Sequence, residues 1–159
     1  MNIHHSSRLA TVVLSTGMLA LACGGGDGLT DVGPNGIRIS DLAGTWNATV
    51  LHYFGLGPSS DVRIVANGGS GTLVLQADGR FTFTTVISGE APQVTTGKVA
   101  FDAEEEDFLQ VLADGETEAD EFFFQFDGTT MRLDGETDFD FDKDGVPDPA
   151  QAEFAFVRQ

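Results

Sequence analysis

Asp140, Asp142 and Asp144 stand at alternate positions in the run Asp140-Phe141-Asp142-Lys143-Asp144-Gly145-Val146-Pro147-Asp148, with Gly145 directly behind the third. Three carboxylates at that spacing turn toward one concavity when a glycine lets the chain bend sharply behind them. Carboxylate oxygens are hard ligands, suited to calcium and unsuited to zinc or copper. The alternation has a second reading, in which Phe139 and Phe141 face a core and the aspartates are a solvated turn in a chain that is acidic throughout.

The run is similar to the first half of an EF-hand-type loop, Asp-x-Asp-x-Asp-Gly. That similarity implies that Val146 offers its backbone carbonyl and that Asp148, at the ninth position, acts through a water. The twelfth position holds Gln151 instead of a bidentate glutamate, and no helix pattern flanks the loop. Glu153 or Asp138 is then left to complete the shell. The expectation is a solitary calcium loop in a β connection, with a Kd of about 10⁻⁴–10⁻³ M as in extracellular modules.

Other chemistry is sparse. His52 is the one histidine beyond the N-terminal segment, and it reads as a barrel residue bonded to a neighbour. Ser59 and Ser60 follow it in a loop, without the Gly-x-Ser-x-Gly elbow that would expose a nucleophile. Carboxylate pairs such as Glu105 and Asp107 are too plentiful in this chain to single out an acid and a base. Gly24-Gly25-Gly26 and Gly68-Gly69 lack the strand, helix and lysine of a phosphate-cradling loop. No catalytic residue is assigned, and a non-enzymatic protein is expected.

The elements that would position these residues are strands. Leu42 to Phe54 carries the single Trp and is rich in Val, Thr and aromatic residues, which favour a pleated, half-buried surface. After it, runs at Val62–Ala66, Gly71–Gln76, Arg80–Ile87, Val94–Asp102, Asp107–Leu112, Glu121–Phe126, Thr130–Leu133 and Ala152–Arg158 are separated by Gly-, Asp- and Asn-rich breaks. Asp78-Gly79 is a type I′ hairpin signal. Asp134-Gly135 is read as the end of a strand, and Pro149–Glu153 as at most one helical turn. Period-two alternation places Phe81, Phe83 and Ile87 on one face, as it does Phe122, Phe124 and Phe126, and Phe154 and Phe156. On the first strand it groups Trp46, Ala48, Val50, His52 and Phe54. About eight strands with hairpin-sized links predict an all-β fold, an antiparallel up-and-down barrel. A two-sheet sandwich is the alternative, because short antiparallel strands build either. The Phe-rich inner face is either a packed core or the wall of a ligand cavity.

Ahead of the strands, Arg8 precedes an apolar stretch, Leu9 to Leu21, with signal-peptide proportions. It ends Leu19-Ala20-Leu21-Ala22-Cys23. This resembles the lipobox of bacterial lipoproteins, whose cysteine is acylated and becomes the first residue; Ala20 stands where leucine is usual. The resemblance implies a signal peptide over 1–22, lipidation of Cys23 with fatty acyl groups such as palmitate, and attachment to a membrane of the cell envelope. Gly24, where an aspartate would favour inner-membrane retention, points to the outer membrane. Residues 23–41, rich in Gly, Asp and Pro, read as a flexible tether holding the domain 42–159 about 20–25 Å from the lipid, with a first irregular strand around Ile37–Ile39 as the alternative.

Leu42-Ala43-Gly44-Thr45-Trp46 is similar to the Gly-x-Trp opening of lipocalin-like domains, those of small bacterial lipoproteins in particular, and the hairpin Gly71 to Phe83 is similar to their second one. The resemblance implies a barrel in which an arginine late in the chain, here Arg158, stacks on Trp46. It also implies a tendency to bind small apolar molecules. It implies no activity.

The charge narrows the partners. Eight basic against 25 acidic residues give a formal net charge of −17. Such a surface repels nucleic acid and anionic lipid, which are bound through clustered Lys and Arg. A membrane contact would run through the N-terminal lipid. A single Cys leaves no intramolecular disulfide.

Overall fold

The alternating runs fold into strands, and the strands close on themselves. The computed structural model describes residues 28–55, 57, 60–105 and 107–159. Ten strands are formed: β1 (Leu29–Thr30), β2 (Gly44–Phe54), β3 (Asp61–Arg63), β4 (Ser70–Leu75), β5 (Arg80–Val86), β6 (Gln93–Asp102), β7 (Phe108–Ala113), β8 (Asp120–Phe126), β9 (Thr130–Phe139) and β10 (Asp148–Arg158). Eight of them make a closed antiparallel barrel in the order β2-β4-β5-β6-β7-β8-β9-β10 and back to β2. Apart from the closing β10–β2 pair, and with only the short β3 between β2 and β4, each ring strand pairs with the next along the chain, so the meander is up-and-down, as expected of a lipocalin-like barrel. Closure between β10 and β2 excludes the open two-sheet sandwich. The short β1 adds to β6, and β3 adds to the far half of β2.

The hairpin at Asp78-Gly79 forms, with a different turn. Gly79 alone takes a left-handed φ of +84°, and Asp78 does not. A type I′ turn needs positive φ at both central residues, so the loop is a longer one finished by glycine. Asp78 fixes it by accepting the Arg80 amide at 3.1 Å.

The two ends of the barrel differ. One end is closed by residues 28–43, of which 28–41 were expected to be tether. Within them Leu29–Thr30 pairs with Asp102 and Phe101, and Val32 bridges Arg38. Ile39 and Leu42 are buried, among Trp46, Phe101, Phe124 and Met131. Four apolar residues, Leu29, Val32, Ile37 and Ile39, spread through a Gly-rich run show no period, and Ile37–Ile39 forms a bridge and the start of a 3-10 turn instead of a strand; the segment's packing is tertiary. The other end is open and carries the β5–β6, β7–β8 and β9–β10 connections.

The first strand does not keep its alternation. Along β10, Ala155 and Phe156 are consecutive, yet their partners on β2 are Val50 and Ala48. Thr49 is the extra residue of a β-bulge, and its hydroxyl donates to the Ala155 carbonyl at 3.2 Å. A bulge exchanges the two faces of a strand beyond it. Trp46 and Ala48 therefore point inward, but so do Leu51 and Tyr53, while Val50, His52 and Phe54 line the outside. The set Trp46-Ala48-Val50-His52-Phe54 is split at Val50.

Two further boundaries move. β9 continues through Asp134-Gly135 to Phe139, since Gly135 is a strand residue at a close approach: a Cβ there would lie 2.2 Å from the Glu121 carbonyl oxygen. The stretch Pro149–Glu153 is strand, not a helical turn. Pro149 pairs with Asp138 on β9 only, because the β10–β2 ladder starts at Gln151, so its missing amide costs no ladder bond. Val62–Ala66 is strand only through Arg63, after which Ile64 is buried and the chain turns.

Candidate functional site

At the closed end, Gly44 begins β2 and Trp46 is fully buried, its indole donating to the Leu42 carbonyl at 2.9 Å. The last strand brings Arg158 beside it. The guanidinium carbon lies 4.4 Å from the centroid of the Trp46 ring. The same guanidinium donates to the Ala43 carbonyl at 2.9 Å and to the Asp41 carbonyl at 2.6 Å. It thus ties the closing segment, the first barrel strand and the last together through one side chain. Trp46 and Arg158, named from the sequence, are brought into contact.

Above this floor the barrel holds a cavity of about 280 Å³. Its deep wall is apolar, formed by Leu73, Phe81, Phe83, Leu109, Phe122 and Phe154. Phe83 packs edge-on to Phe156 at 5.9 Å, and Phe122 leans on Phe154 at 5.7 Å, so the rings meet around the space without filling it. Toward the open end the wall changes character. Glu116 and Glu118 come from the β7–β8 connection, Asp120 from the start of β8, and Thr137 and Asp138 from the end of β9. Asp120 is in phase with Phe122 and Phe124, which turns it inward; it accepts the Thr137 hydroxyl at 2.6 Å. Burial pushes the Asp120 carboxyl above its ordinary range, and the negative charges of Asp138 and Glu116 push it the same way. Tyr53 stacks on Phe139 at 4.3 Å, and its phenol is also raised, first by burial and then by Asp120. Asp138 was expected only as a possible calcium ligand, and Glu116, Glu118 and Asp120 only as part of an acidic loop, 114–120, with no site role. The phase of Asp120 with the Phe122-Phe124-Phe126 set was the available signal.

The acidic loop joins β9 to β10 on the rim of the same open end. Its turns are made by its own carboxylates. Asp140 accepts the Gly145 amide at 2.9 Å, Asp142 the Asp144 amide at 3.2 Å, and Asp144 the Val146 amide at 2.8 Å. Lys143 and Gly145 take left-handed φ values of +62° and +88°. Folded this way, Asp140, Asp142 and Asp144 each bring an oxygen within 4.8 Å of the others. Asp140 Oδ1 is buried and has no hydrogen-bond partner. Val146 is exposed in the loop. Asp148 stands apart from the trio, as the first residue of β10 in register with Phe139. Glu153 is five residues further along β10, opposite His52, about 17 Å down the strand. It cannot complete the shell. Asp138 is in ladder register with Pro149.

His52 sits on the outer wall, its two ring nitrogens 3.1 Å from Glu153 and 3.2 Å from Asp61. Arg63 donates to Asp61 in turn and is the first cause of its lowered carboxyl pKa. Among the described residues, the side chains within hydrogen-bond distance of His52 are thus carboxylates. Cys23, the signal segment 1–22 and Ser59 lie outside the described residues. No protein-family model matches the chain, and no curated protein matches it.

Proposed function

We propose that this chain is a lipid-anchored protein of the bacterial cell envelope, lipocalin-like in kind, whose barrel binds a small apolar molecule and catalyses no reaction. The observation that carries it is the apolar cavity of about 280 Å³, near the lower limit of small-molecule sites. An apolar cavity of about half that volume takes benzene. A barrel that served only as a scaffold or interaction surface would gain from filling that space, because empty apolar volume costs stability. The anchor rests on the Leu19-Ala20-Leu21-Ala22-Cys23 run, with the outer membrane favoured by Gly24.

Native mass spectrometry of the purified protein after exposure to lipid extracts tests the cavity. A small apolar molecule is retained by the parent protein and released by Val111→Phe, which fills the wall while leaving the β-type circular dichroism intact. Failure to retain a ligand from any extract overturns the reading. Palmitate labelling tests the anchor: the parent protein takes the label and Cys23→Ser does not. Equal labelling of the two disposes of the lipidation.

A second reading concerns calcium at Asp140, Asp142 and Asp144, with the Val146 carbonyl and a water held by Asp148 as further ligands. The buried, unpartnered Asp140 Oδ1 favours it, since a buried charged oxygen without a partner is costly. Calcium at tenfold its Kd would add about 1.4 kcal/mol of stability. Thermal melting in calcium, magnesium and chelator measures this. Calcium raises the melting temperature most, because magnesium holds its water and demands a smaller octahedral cage. Identical melting in all three, or a calcium response that survives Asp144→Ala, leaves the loop an acidic turn.

A further inference from the structure

We propose that the molecule held in the barrel is an amphiphilic cation, with an apolar body the size of a substituted aromatic ring or a short alkyl chain and an ammonium group at the mouth, paired with Asp120, Glu116 and Glu118. This rests on the reading of the cavity as a ligand site and adds the chemistry of the head group.

The wall is sorted by depth. Its floor and sides are Leu and Phe, and its rim is Glu116, Glu118, Asp120 and Asp138, with no Lys or Arg among the described residues that line it. The wider vestibule above adds Glu90 and Asp140 and, as the one base among the described residues lining it, Lys143. That base is already engaged with Glu90. A ligand entering tail-first leaves its head group at a ring of carboxylates. An anionic head, such as a fatty acid carboxylate, meets like charge in a partly desolvated site, which is repulsive. A neutral head gains nothing from the ring, whereas a cation is attracted to it.

Two polar groups where the apolar wall meets the rim add a geometric argument to the charge count. Asp120 is half-buried on the inner face, and Thr137 is the one side chain that donates to it. Tyr53 is half-buried against Phe139 and Phe154 and lines the cavity, and no side chain or carbonyl among the described residues hydrogen-bonds its phenol. Polar groups placed in an apolar wall cost free energy unless something pairs with them. An ammonium group offers three donors, to Asp120, to the Tyr53 oxygen and to Glu116 or Glu118.

The test titrates the purified full chain with octylammonium, octanol and octanoate, whose alkyl chains match to within one methylene, at neutral pH, low salt and in chelator. Octylammonium binds at least about tenfold more tightly than octanol, and octanoate binds most weakly. Asp120→Asn brings octylammonium to the octanol level without changing octanol, and Glu116→Gln with Glu118→Gln, both in a connection outside the strands, does so in part should Asp120→Asn not fold. Raising the salt to about 0.5 M narrows the gap for the parent protein. Equal binding of the three compounds overturns the cationic head group and leaves the apolar site standing. Binding of none of them, with Val111→Phe also without effect on any, overturns both.

Discussion

Arg158 makes three interactions, with two carbonyls and a ring, and making all three at once needs the planar fork that a lysine lacks. Arg158→Met keeps the length and removes the donors, leaving the Ala43 carbonyl part-buried and unpaired. A loss of about 1–3 kcal/mol is expected from urea unfolding, and Arg158→Lys recovers only part of it. Asp127 shows a different use of a side chain. It accepts the amides of Thr129 and Thr130 at 2.9 and 2.7 Å in the β8–β9 turn, and these bonds hold its carboxyl below the ordinary range. A depressed pKa contributes stability above the unfolded carboxylate value of about 3.9 and loses it as pH falls through the folded value. Asp127→Asn therefore has a lower urea midpoint than the parent protein at pH 7, and the difference closes below about pH 3. Asp120 has the opposite sign. Its carboxyl is raised by burial, so its contribution is greatest below the unfolded value and is lost as pH rises through the folded one. Asp120→Asn is expected to be the more stable protein at neutral pH and no more stable in acid, as measured by thermal melting across that range. A carboxylate that lowers stability where it sits is a common mark of a binding position.

Strands are set partly by what a window of sequence displays and partly by what the neighbouring strand requires. The Phe sets of β5, β8 and β10 and the glycine-closed β4–β5 hairpin are local features, and they were legible. The bulge at Thr49 was not, because Trp46, Ala48 and Val50 alternate without a break, and only the register against Ala155 and Phe156 shows the extra residue. Asp134-Gly135 reads as a turn in isolation, yet glycine there answers to the Glu121 carbonyl on β8, which leaves no room for a Cβ. Gly135→Ala is expected to cost about 1–3 kcal/mol by chemical denaturation; an unchanged midpoint would mean that β8 and β9 part without penalty. The same logic separates the two site readings. The aspartate loop is a local pattern and stands where the sequence put it, with Asp148 apart in the ladder. The cavity rim is assembled from β8, β9 and the β7–β8 connection, and no single window of sequence contains it.

The barrel as a whole has a direction. Residues 28–43 close one end, and the carboxylate-lined cavity opens at the other. Gly28 belongs to the closed end, where its carbonyl accepts the Ala103 amide at 2.6 Å. Five residue steps separate it from Cys23, a reach of no more than about 18 Å even when fully extended. This is shorter than the separation expected for a tether running to residue 41, since β1, the bridge at Val32 and the buried Ile39 take up the rest of that segment. An acyl anchor at Cys23 would then hold the closed end against the lipid and turn the mouth to the aqueous side. The net charge of −17 acts in the same sense, since an anionic membrane surface repels the carboxylate-rich mouth. The orientation can be measured in vesicles carrying a lipid-attached quencher, with one fluorophore placed at Glu104→Cys, beside the β6–β7 turn of the closed end, or at Val146→Cys, on the rim. Quenching at position 104 should exceed that at 146, and the difference should shrink when about ten flexible residues are inserted after Gly24, because a longer chain lets the barrel tumble. Equal quenching at the two positions in the parent protein, or stronger quenching at 146, would mean that the closed end is not the end that faces the membrane.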